Sequence, residues 1–342
     1  MQVQLSGGSK NPLTYLLLIA PFFLWGTAMV AMKGVIPHTT PLFMARVRLI
    51  PAGVLILMVA AFMGKPVPKS WLARLWIIIF ALVDGTLFQG FLAEGLVRTN
   101  AGLGSVMIDS QPLAVALLSL WLFKEHIGLW GWLGLGLGIT GISLIGLPEE
   151  WIFHLLDSGV TINPANWQDL FNSGELLMLL AALSMAVGTV LIRFVCRYAD
   201  PVMATGWHMI IGGLPLWGIS SVLEAQQWQN LVLSDWMALS YATVFGSAIA
   251  YGLFFYFASS GNLTSLSSLT FLTPIFALIF GYIFLSEVLT IIQWLGVFLT
   301  LISIYLINQR ENIGVKNQTI NITETNTTEE SLVLELSPKK IP

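Results

Sequence analysis

Charged side chains are scarce in this chain. Asp, Glu, Lys and Arg make up 10% of the 342 residues, and hydrophobic residues make up 56%, whereas an average soluble domain is about 25% charged. The mean hydropathy is +0.80. A soluble protein of this length has too much surface for so few charges, so the composition excludes a soluble globular enzyme, a disordered chain and a fibrous repeat. We predict a protein embedded in a membrane.

Several chemical signatures are also missing. Cys196 is the single cysteine, which excludes an intrachain disulfide and a cysteine metal cluster. The net charge is −3 without a polybasic block, so no nucleic acid is expected as a partner. No GxxxxGK(S/T) loop occurs, so ATP-driven transport by this chain is not expected. The four histidines, at 38, 126, 154 and 208, are scattered. We therefore expect no metal, no cofactor and no clustered acid–base set of an intramembrane enzyme.

Long apolar runs predict the secondary structure. A bilayer core is about 30 Å thick, and a spanning helix needs about 20 mostly apolar residues. Lipid offers the backbone no hydrogen-bond partners, which favours helices. The first run begins at Pro12 and is long enough to span, so we interpret it as an anchored helix rather than a cleaved signal. We predict an all-α membrane protein with ten transmembrane helices, at about 13–33, 41–63, 75–95, 101–122, 129–147, 174–195, 203–222, 236–258, 265–285 and 290–308.

The placement of lysine and arginine predicts the orientation. With the N-terminus in the cytoplasm, the cytoplasmic side receives eight basic residues besides the tail lysines, and the outer side receives Lys33 and Arg98. Because positive charge favours the cytoplasmic side, we predict that both termini are cytoplasmic. Residues 1–12 then form a cytoplasmic N-terminus, 148–173 an extracytoplasmic loop, and 309–342 a disordered cytoplasmic tail.

The chain repeats itself with an offset of 162 residues. Pro, Glu, Trp, Gly and Asn match in order, which chance similarity between apolar helices does not produce. The matched pairs are Gly26-Thr27 and Gly188-Thr189, Gly90 and Gly252, Asn100 and Asn262, Ser105 and Ser267, Pro112 and Pro274, Glu125 and Glu287, Trp132-Leu133-Gly134 and Trp294-Leu295-Gly296, and, after a two-residue shift, Pro41 and Pro201 and Gly53 and Gly213.

The two units, 13–147 and 174–308, contain five predicted helices each. Because five is odd, the second unit enters the membrane upside down relative to the first. Inverted repeats are typical of secondary transporters, whose substrate site lies near the bilayer midplane where the units meet. We therefore predict two inverted five-helix repeats around a central substrate site.

Both units carry the same short motifs in the same order. These are Trp25-Gly26-Thr27, Pro41 with Arg48 seven residues later, and Pro112 with Glu125 in the first unit, and Gly188-Thr189, Pro201, Pro274 and Glu287 in the second. The pattern resembles the EamA-type transporters of the drug/metabolite transporter superfamily, and the run Gly102–Pro112 is similar to a cyanobacterial and plastid subgroup. The resemblance implies ten helices, N-in and C-in, and export or exchange of small metabolites. It does not imply a substrate.

Two residues depart from the family pattern. His208 stands at the repeat position of Arg48, and Asp109 stands where the family usually has a small or hydroxyl residue. Charged residues within membrane helices are costly and usually functional. Arg46 and Arg48 are about 200° apart on a helix, so only one faces a cavity. The resemblance places Arg48 inward, and Arg46 is then expected at the outer surface.

The intramembrane acids allow two interpretations. We predict that Arg48 pairs with Asp109 or Asp84, the alternative being a purely structural ion pair. A buried carboxylate can also bind a proton, so Asp84 or Asp109 is a candidate for proton coupling, and a static hydrogen-bonded acid is the alternative. His208 either titrates near neutral pH or is a polar packing residue.

Further residues complete the predicted site. Polar and aromatic side chains that either line the cavity or serve helix packing are Trp25, Gln89, Gln111, Thr189, Tyr251 and Thr270. Pro112 and Pro274 are predicted mid-helix, as a matched pair of gating hinges or as static kinks.

Gly134 and Gly138 form a GxxxG pair, which predicts close helix approach within the unit rather than in a dimer. Glu125 and Glu287 end the fourth and ninth predicted helices, and each either holds the following turn or closes a gate.

The function predicted from the sequence is membrane transport rather than catalysis. We expect a permease or exporter of a small polar metabolite, such as an amino acid, working by alternating access with or without proton coupling. The alternatives are a transporter-like sensor and a carrier of an undecaprenyl-type or other lipid. The expected partners are the small-molecule substrate, the lipid bilayer and, as one option, a second copy of the chain. The expected location is the inner membrane of a bacterium, with the plastid envelope as the alternative.

Overall fold

The computed structural model describes residues 12–98, 108–125, 127–146, 174–285 and 290–307. Within these ranges the chain is helical and contains no β-strand. The helices, numbered in chain order, are α1 (Pro12–Lys33), α2 (Pro41–Phe62), α3 (Trp71–Arg98), α4 (Gln111–Phe123), α5 (Leu129–Gly146), α6 (Gly174–Val195), α7 (Pro201–Leu223), α8 (Leu233–Ala258), α9 (Leu263–Ser268 and Leu272–Leu285, joined by a 3₁₀ turn) and α10 (Ile291–Ile307).

Seven of the described helices, α1–α3 and α6–α9, are long and apolar enough to cross a membrane, and α4, α5 and α10 are shorter apolar helices. The predicted all-α membrane fold is confirmed. The ten-helix count, the orientation and the inverted topology stay predictions. The loop 148–173, the tail 309–342 and the repeat residues Asn100, Ser105 and Glu287 lie outside the described residues.

Helices α3 and α8 each contain a π-helical stretch in the middle. The stretches are Ala81–Phe88 in α3 and Ala242–Ile249 in α8. They begin 161 residues apart (242 − 81), close to the repeat offset of 162. A π-helical stretch widens the helix by one residue per turn and occurs frequently at functional sites. The two stretches occupy matched positions of the two units, and we therefore expect functional residues close to them.

The crossing of α2 and α7 is close because glycines lie at the contact. A Cβ on Gly53 would lie 2.7 Å from the carbonyl oxygen of Gly206, and a Cβ on Gly213 would lie 2.6 Å from Ile50 Cγ1. Gly53 and Gly213 are one of the matched pairs of the repeat. The two units therefore meet at this crossing through equivalent residues.

The GxxxG pair of α5 makes the close approach that was predicted, but with a different partner. A Cβ on Gly134 would lie 3.1 Å from the carbonyl oxygen of Ser303 in α10, and the Ser303 hydroxyl donates a 2.6 Å hydrogen bond to the Gly134 carbonyl. A Cβ on Gly138 would overlap the Phe271 ring of α9. The prediction of an approach within the first unit is wrong, because α5 packs against the second unit.

Polar contacts join the helix ends at both ends of the bundle. At one end, Lys65 after α2 lies 2.9 Å from Asp200, the residue that caps α7 with its carboxylate. At the opposite end, Glu224 after α7 accepts hydrogen bonds of 2.8 and 2.9 Å from the first-turn amides of α2. Each of these contacts connects the first unit to the second. The contact with Asp200 raises the pKa of the partly buried Lys65 ammonium.

Glu125, which follows α4, holds the start of α9. Its carboxylate lies 3.2 Å from the Arg193 guanidinium and accepts a 3.0 Å hydrogen bond from the Thr264 hydroxyl and a 3.3 Å bond from the Leu263 amide. Anionic side chains stabilise helix N-termini because the amides there lack intrahelical acceptors. These contacts favour the structural role predicted for Glu125.

Replacing Glu125 by glutamine is expected to lower the free energy of unfolding by about 1.5–3 kcal/mol, the range for a hydrogen bond to a charged group. Glu94→Gln is the matched control, because Glu94 pairs with Arg98 at 2.6 Å on an exposed surface. Such surface pairs contribute less than about 0.5 kcal/mol. The measurement is thermal unfolding of both variants in one detergent, and equal midpoints would contradict the role given to Glu125.

Candidate functional site

A cavity lies between the two units, in the half of the bundle where α1 ends and α2 begins. It encloses about 100 Å³ of water-accessible space and is lined by residues of α1, α2, α3, α4, α6, α8 and α9. Seven of the ten residues predicted for the site line it: Trp25, Arg48, Gln89, Asp109, Gln111, Tyr251 and Thr270. The sequence therefore predicted most of the polar lining.

A chain of hydrogen bonds crosses the cavity wall from one unit to the other. The Arg48 guanidinium donates a 3.0 Å hydrogen bond to Gln89 Oε1, and Gln89 Nε2 donates a 2.7 Å bond to the Tyr251 hydroxyl. Gln89 follows the π-helical stretch of α3, and Tyr251 follows that of α8. The two residues are 162 positions apart, so repeat-equivalent side chains bind each other at the centre of the molecule.

Four buried polar atoms on residues that line the cavity have no hydrogen-bond partner in the described chain. Two of them are N–H donors, Trp25 Nε1 and Arg48 Nε. The third is the Thr273 hydroxyl, which can donate or accept, and the fourth is the acceptor Gln111 Oε1. All four residues line the cavity. A buried polar atom without a partner costs about 1–3 kcal/mol, so this concentration favours a site that binds a polar molecule.

The remaining lining is apolar and adaptable. Five methionines contribute to it, at positions 29, 32, 44, 178 and 185, together with Phe88, Leu92 and Leu96. Methionine side chains are flexible and polarizable, and they fit irregular ligands. Thr273 and these methionines were not predicted, because nothing in an apolar helix pattern distinguishes a cavity-lining methionine from one in the core.

An aromatic cluster closes the cavity on the side away from the α1–α2 connection. The Trp25 ring lies 5.1 Å from both Tyr251 and Phe254, and Phe254 contacts Phe22 and Phe255 at 6.1 and 5.3 Å. Phe22, Phe254 and Phe255 have no exposed surface. The cavity therefore reaches one half of the bundle and not the other.

Asp84 and His208 lie outside the cavity lining and bind each other. His208 Nε2 is 3.0 Å from Asp84 Oδ2, and the two side chains are 1% and 0% exposed. The predicted pairing of Arg48 with Asp84 is therefore wrong, because Asp84 turns to α7 while Arg48 bonds to Gln89. The pairing of Arg48 with Asp109 stays a prediction, since both residues line the same cavity.

The other predicted residues lie next to the cavity or at the end of the bundle. Thr189 receives a 3.1 Å hydrogen bond from Gln111 Nε2 and donates to the Met185 carbonyl, so it positions the glutamine amide. Arg46 does not line the cavity: it donates a 2.6 Å hydrogen bond to Gln227 in the α7–α8 connection and lies over the Phe43 ring. Of the two neighbouring arginines only Arg48 lines the cavity, as predicted, but Arg46 is buried at 8% exposure and does not lie at the surface as expected.

The matched prolines each lie just after an interruption of the regular helix. Pro112 is the second residue of α4, after a turn at residues 109–110. Pro274 is the third residue of the second α9 segment, after the 3₁₀ turn at Leu269–Phe271. Pro274 lies inside the apolar span Leu263–Phe280, as the mid-helix prediction has it. For Pro112 that prediction stays untested, because residues 99–107 before it lie outside the described part of the chain. A proline in the first turn after an interruption is tolerated best, because its missing amide hydrogen is not needed there. The role as a hinge stays a prediction.

Comparison with known proteins agrees with this architecture. The EamA-like transporter family matches residues 12–147 and 172–309, the same two units that the repeat defines. An uncharacterized transporter of Synechocystis sp. is 66% identical over 319 residues, which are 92% of this chain and 96% of that protein. A chloroplastic WAT1-related protein of Arabidopsis thaliana is 53% identical over 308 residues, covering 89% of this chain and 71% of that protein.

A solved crystal structure is similar in fold. Its TM-score is 0.72 at 15% sequence identity, over 86% of this chain and 97% of that one. The predicted resemblance, including the cyanobacterial and plastid subgroup, is confirmed by the relatives. The apolar helices and the membrane transporters among the relatives make this a multi-pass integral membrane protein. The chain belongs to the EamA-like transporter family.

Proposed function

We propose that this protein transports a small zwitterionic metabolite, of the amino acid class, by alternating access through the cavity between its two units. The observation that carries the proposal is the set of four unpartnered polar atoms, one of them on Arg48, on residues that line the cavity. A molecule that satisfies those atoms regains hydrogen-bond energy that the empty protein lacks. The transporter relatives support movement of a substrate rather than its chemical conversion.

Arg48 is the proposed binding group for a substrate carboxylate. Its side chain is 8% exposed, one amino group is held by Gln89, and Nε has no partner. A guanidinium held in this way presents its remaining donors in a fixed plane, which suits two-point binding of a carboxylate. The indole Nε1 of Trp25 lines the same cavity as a further unpartnered donor.

Asp109 is the proposed binding group for a substrate ammonium. Its side chain is 6% exposed and lines the cavity together with Arg48. A carboxylate and a guanidinium in one low-dielectric cavity attract the opposite ends of a zwitterion. The methionine-rich lining would then contact the apolar part of the substrate and accept side chains of different shape.

The one-sided cavity and the sequence repeat support the proposal of alternating access. Met32, Met44 and Leu96 line the cavity close to the helix ends around the α1–α2 connection, which is the outer side in the predicted orientation. The aromatic cluster at Trp25 and Tyr251 closes the opposite side. Two units of similar sequence in inverted orientation would exchange these arrangements with little difference in energy. We place this transport cycle in the inner membrane of a bacterium or, for a plastid protein, in the envelope. Formation of a dimer stays a prediction.

Flux into proteoliposomes tests the proposal. Purified protein is offered a mixture of amino acids, purines, organic acids and sugar phosphates, and uptake is read by mass spectrometry against liposomes without protein. Saturable uptake of zwitterions is expected. Uptake of organic acids alone would refute the role of Asp109. No uptake by correctly folded protein would refute metabolite transport and favour the lipid carrier or the sensor.

A further inference from the structure

A buried histidine–aspartate pair lies behind the cavity and has no part in the proposed substrate contacts. Asp84 belongs to the π-helical stretch of α3, and His208 belongs to α7 in the second unit. Their side chains meet at 3.0 Å without exposure to solvent. Charged groups inside a membrane are costly, so a pair of this kind requires an explanation beyond packing.

The hydrogen bonds fix how many protons the pair holds. His208 Nδ1 lies 2.8 Å from the carbonyl oxygen of Thr205. A carbonyl oxygen can only accept, so Nδ1 carries a hydrogen. The 3.0 Å contact between Nε2 and Asp84 Oδ2 needs one more proton, bound either to Nε2 or to the carboxyl group. The pair is neutral with that proton in both cases, and it carries one negative charge without it.

The surroundings oppose loss of this proton without a conformational change. The Phe80 ring stacks on the imidazole at 4.2 Å, and the Phe255 ring meets it edge-on at 5.4 Å. A Cβ on Gly188 of α6 would lie 2.8 Å from Asp84 Cγ, so α6 packs directly against the carboxyl group. Asp84 Oδ1 has no hydrogen-bond partner in the described chain. A net negative charge in this apolar enclosure would be strongly unfavourable.

The ionisable neighbours of the pair connect it to the cavity. The titratable side chain near Asp84 from α8 is Tyr251, and Arg48 of α2 lies near Tyr251. The Tyr251 hydroxyl also receives the hydrogen bond from Gln89, five residues after Asp84 on α3. Within the described chain, no other ionic contact to the pair comes from the helices packed on it, α3, α6, α7 and α8. Gln89, which bonds to both Arg48 and Tyr251, therefore links the cavity to the helix that carries Asp84.

His208 and Arg48 occupy equivalent positions in the two units of the repeat. His208 stands seven residues after Pro201, where the first unit has Arg48 seven residues after Pro41. Both side chains bond to α3, Arg48 at Gln89 and His208 at Asp84. One matched position thus carries a permanent cation at the substrate cavity, and the other carries a group that can gain or lose a proton.

We propose that Asp84 and His208 form the proton-binding site that couples substrate movement to a proton gradient, which rests on the transport function proposed above. One proton enters from water on one side of the membrane, binds between Nε2 and Oδ2, and leaves to water on the other side. No bond other than those to this proton changes. Without the proton, the Nε2 lone pair and the carboxylate face each other and repel, which separates α3 from α7 at the contact of the two units.

A substrate-free measurement tests the site directly. Proteoliposomes on a solid-supported membrane are given a rapid step from about pH 8 to about pH 6, a range that brackets the ordinary titration of histidine, and the charge displaced by proton binding is recorded. Asp84→Asn is expected to lower this charge at least about fivefold, because the asparagine amide donates permanently to Nε2 and leaves no proton to bind. His208→Gln, a second variant that keeps a polar side chain, is expected to show the same loss.

Asp235→Asn is the matched control. Asp235 also pairs with a histidine, His38, at 3.0 Å, but at the helix ends and away from the cavity lining. Its variant is expected to keep the charge displacement. No displaced charge in the unmodified protein, or an unchanged charge in Asp84→Asn, would overturn the proposal.

Metabolite flux separates the two proposals. With a pH gradient imposed, the unmodified protein is expected to accumulate zwitterions from the mixture, and Asp84→Asn is expected only to equilibrate them. One outcome is that the unmodified protein shows the displaced charge, Asp84→Asn loses it, and the unmodified protein transports no metabolite. That outcome would support the proton site and refute the transport function. If the unmodified protein transports metabolites at the same rate with and without a pH gradient, the transport function is supported and the proton coupling is overturned.

Discussion

Arg48→Gln is expected to lower zwitterion flux by at least about 30-fold, which corresponds to about 2 kcal/mol of lost binding free energy. Removing one partner of a buried, charge-assisted contact typically costs about 2–5 kcal/mol. Arg48 is buried, lines the cavity and has an unpartnered Nε. Arg48→Lys is expected to restore little, because an ammonium cannot bind Gln89 and a carboxylate in one plane.

Arg46→Gln is the control for this loss. It removes the same charge from the same helix, but Arg46 binds Gln227 and lies against Phe43 and Trp217 instead of the cavity. We expect lower thermal stability and flux per folded molecule within about twofold of the original, since no substrate contact is lost. Flux is measured in proteoliposomes with equal amounts of monodisperse protein. Equal losses in the two variants would show that Arg48 acts through folding and not through substrate binding.

Gly188→Ala is expected to have the largest effect on folding. A Cβ at this position would lie 2.7 Å from Asp84 Cβ and 2.8 Å from Asp84 Cγ. The carboxyl group cannot move away without leaving His208, so α6 or α3 must shift. Overpacking of a core costs about 1–3 kcal/mol, and breaking the buried pair adds to that cost. We expect a decrease of at least about 3 kcal/mol in the free energy of unfolding, or failure to accumulate folded protein.

The matched control is Gly218→Ala in α7. No atom lies within 4 Å of a Cβ at Gly218, and alanine is favoured over glycine within helices by about 1 kcal/mol. This variant is expected to be as stable as the original or more so. Thermal unfolding in detergent compares the two alanine variants. A stable Gly188→Ala protein that keeps the pH-step charge would contradict the tight packing described around Asp84.

The helices and the two-unit organisation follow from the sequence because their causes are local. Apolar runs of about 20 residues are incompatible with water, and the predicted boundary at Pro41 agrees with the start of α2. Prolines and glycines recur at the same spacing because both units need the same turns and close contacts. Gly53 and Gly213 illustrate this, since each lies at the α2–α7 crossing.

The partners of the intramembrane charges do not follow from the sequence. The sequence left Arg48 with two candidate partners, Asp109 and Asp84, because it does not determine the direction in which a side chain points. The π-helical stretch of α3 adds a residue to a turn and rotates Asp84 relative to the helix that follows. Asp84 therefore meets His208 of α7, and Gln89 meets Arg48. No residue pattern in Ala81–Phe88 predicts a π-helical stretch.

The hinge prolines show a similar limit. Their matched positions were visible in the sequence, but the interruptions just before them were not. Pro112 follows a turn and Pro274 follows a 3₁₀ turn, so each proline begins a helical segment. An irregular backbone at membrane depth is tolerated where protein covers it or where it lines a cavity. Asp109 and Thr270, next to these interruptions, both line the cavity.

Two-sided labelling of Thr270 tests the central claim most directly. In a Cys196→Ser background, Thr270→Cys places the single thiol in the cavity lining, and Ser119→Cys, fully buried outside the cavity, is the control. A membrane-impermeant thiol reagent is applied from either side of oriented vesicles. Alternating access predicts that Thr270→Cys reacts from both sides, that zwitterions from the mixture change the two rates in opposite directions, and that Ser119→Cys reacts from neither. Reaction of Thr270→Cys from one side only, under all conditions, would contradict the account.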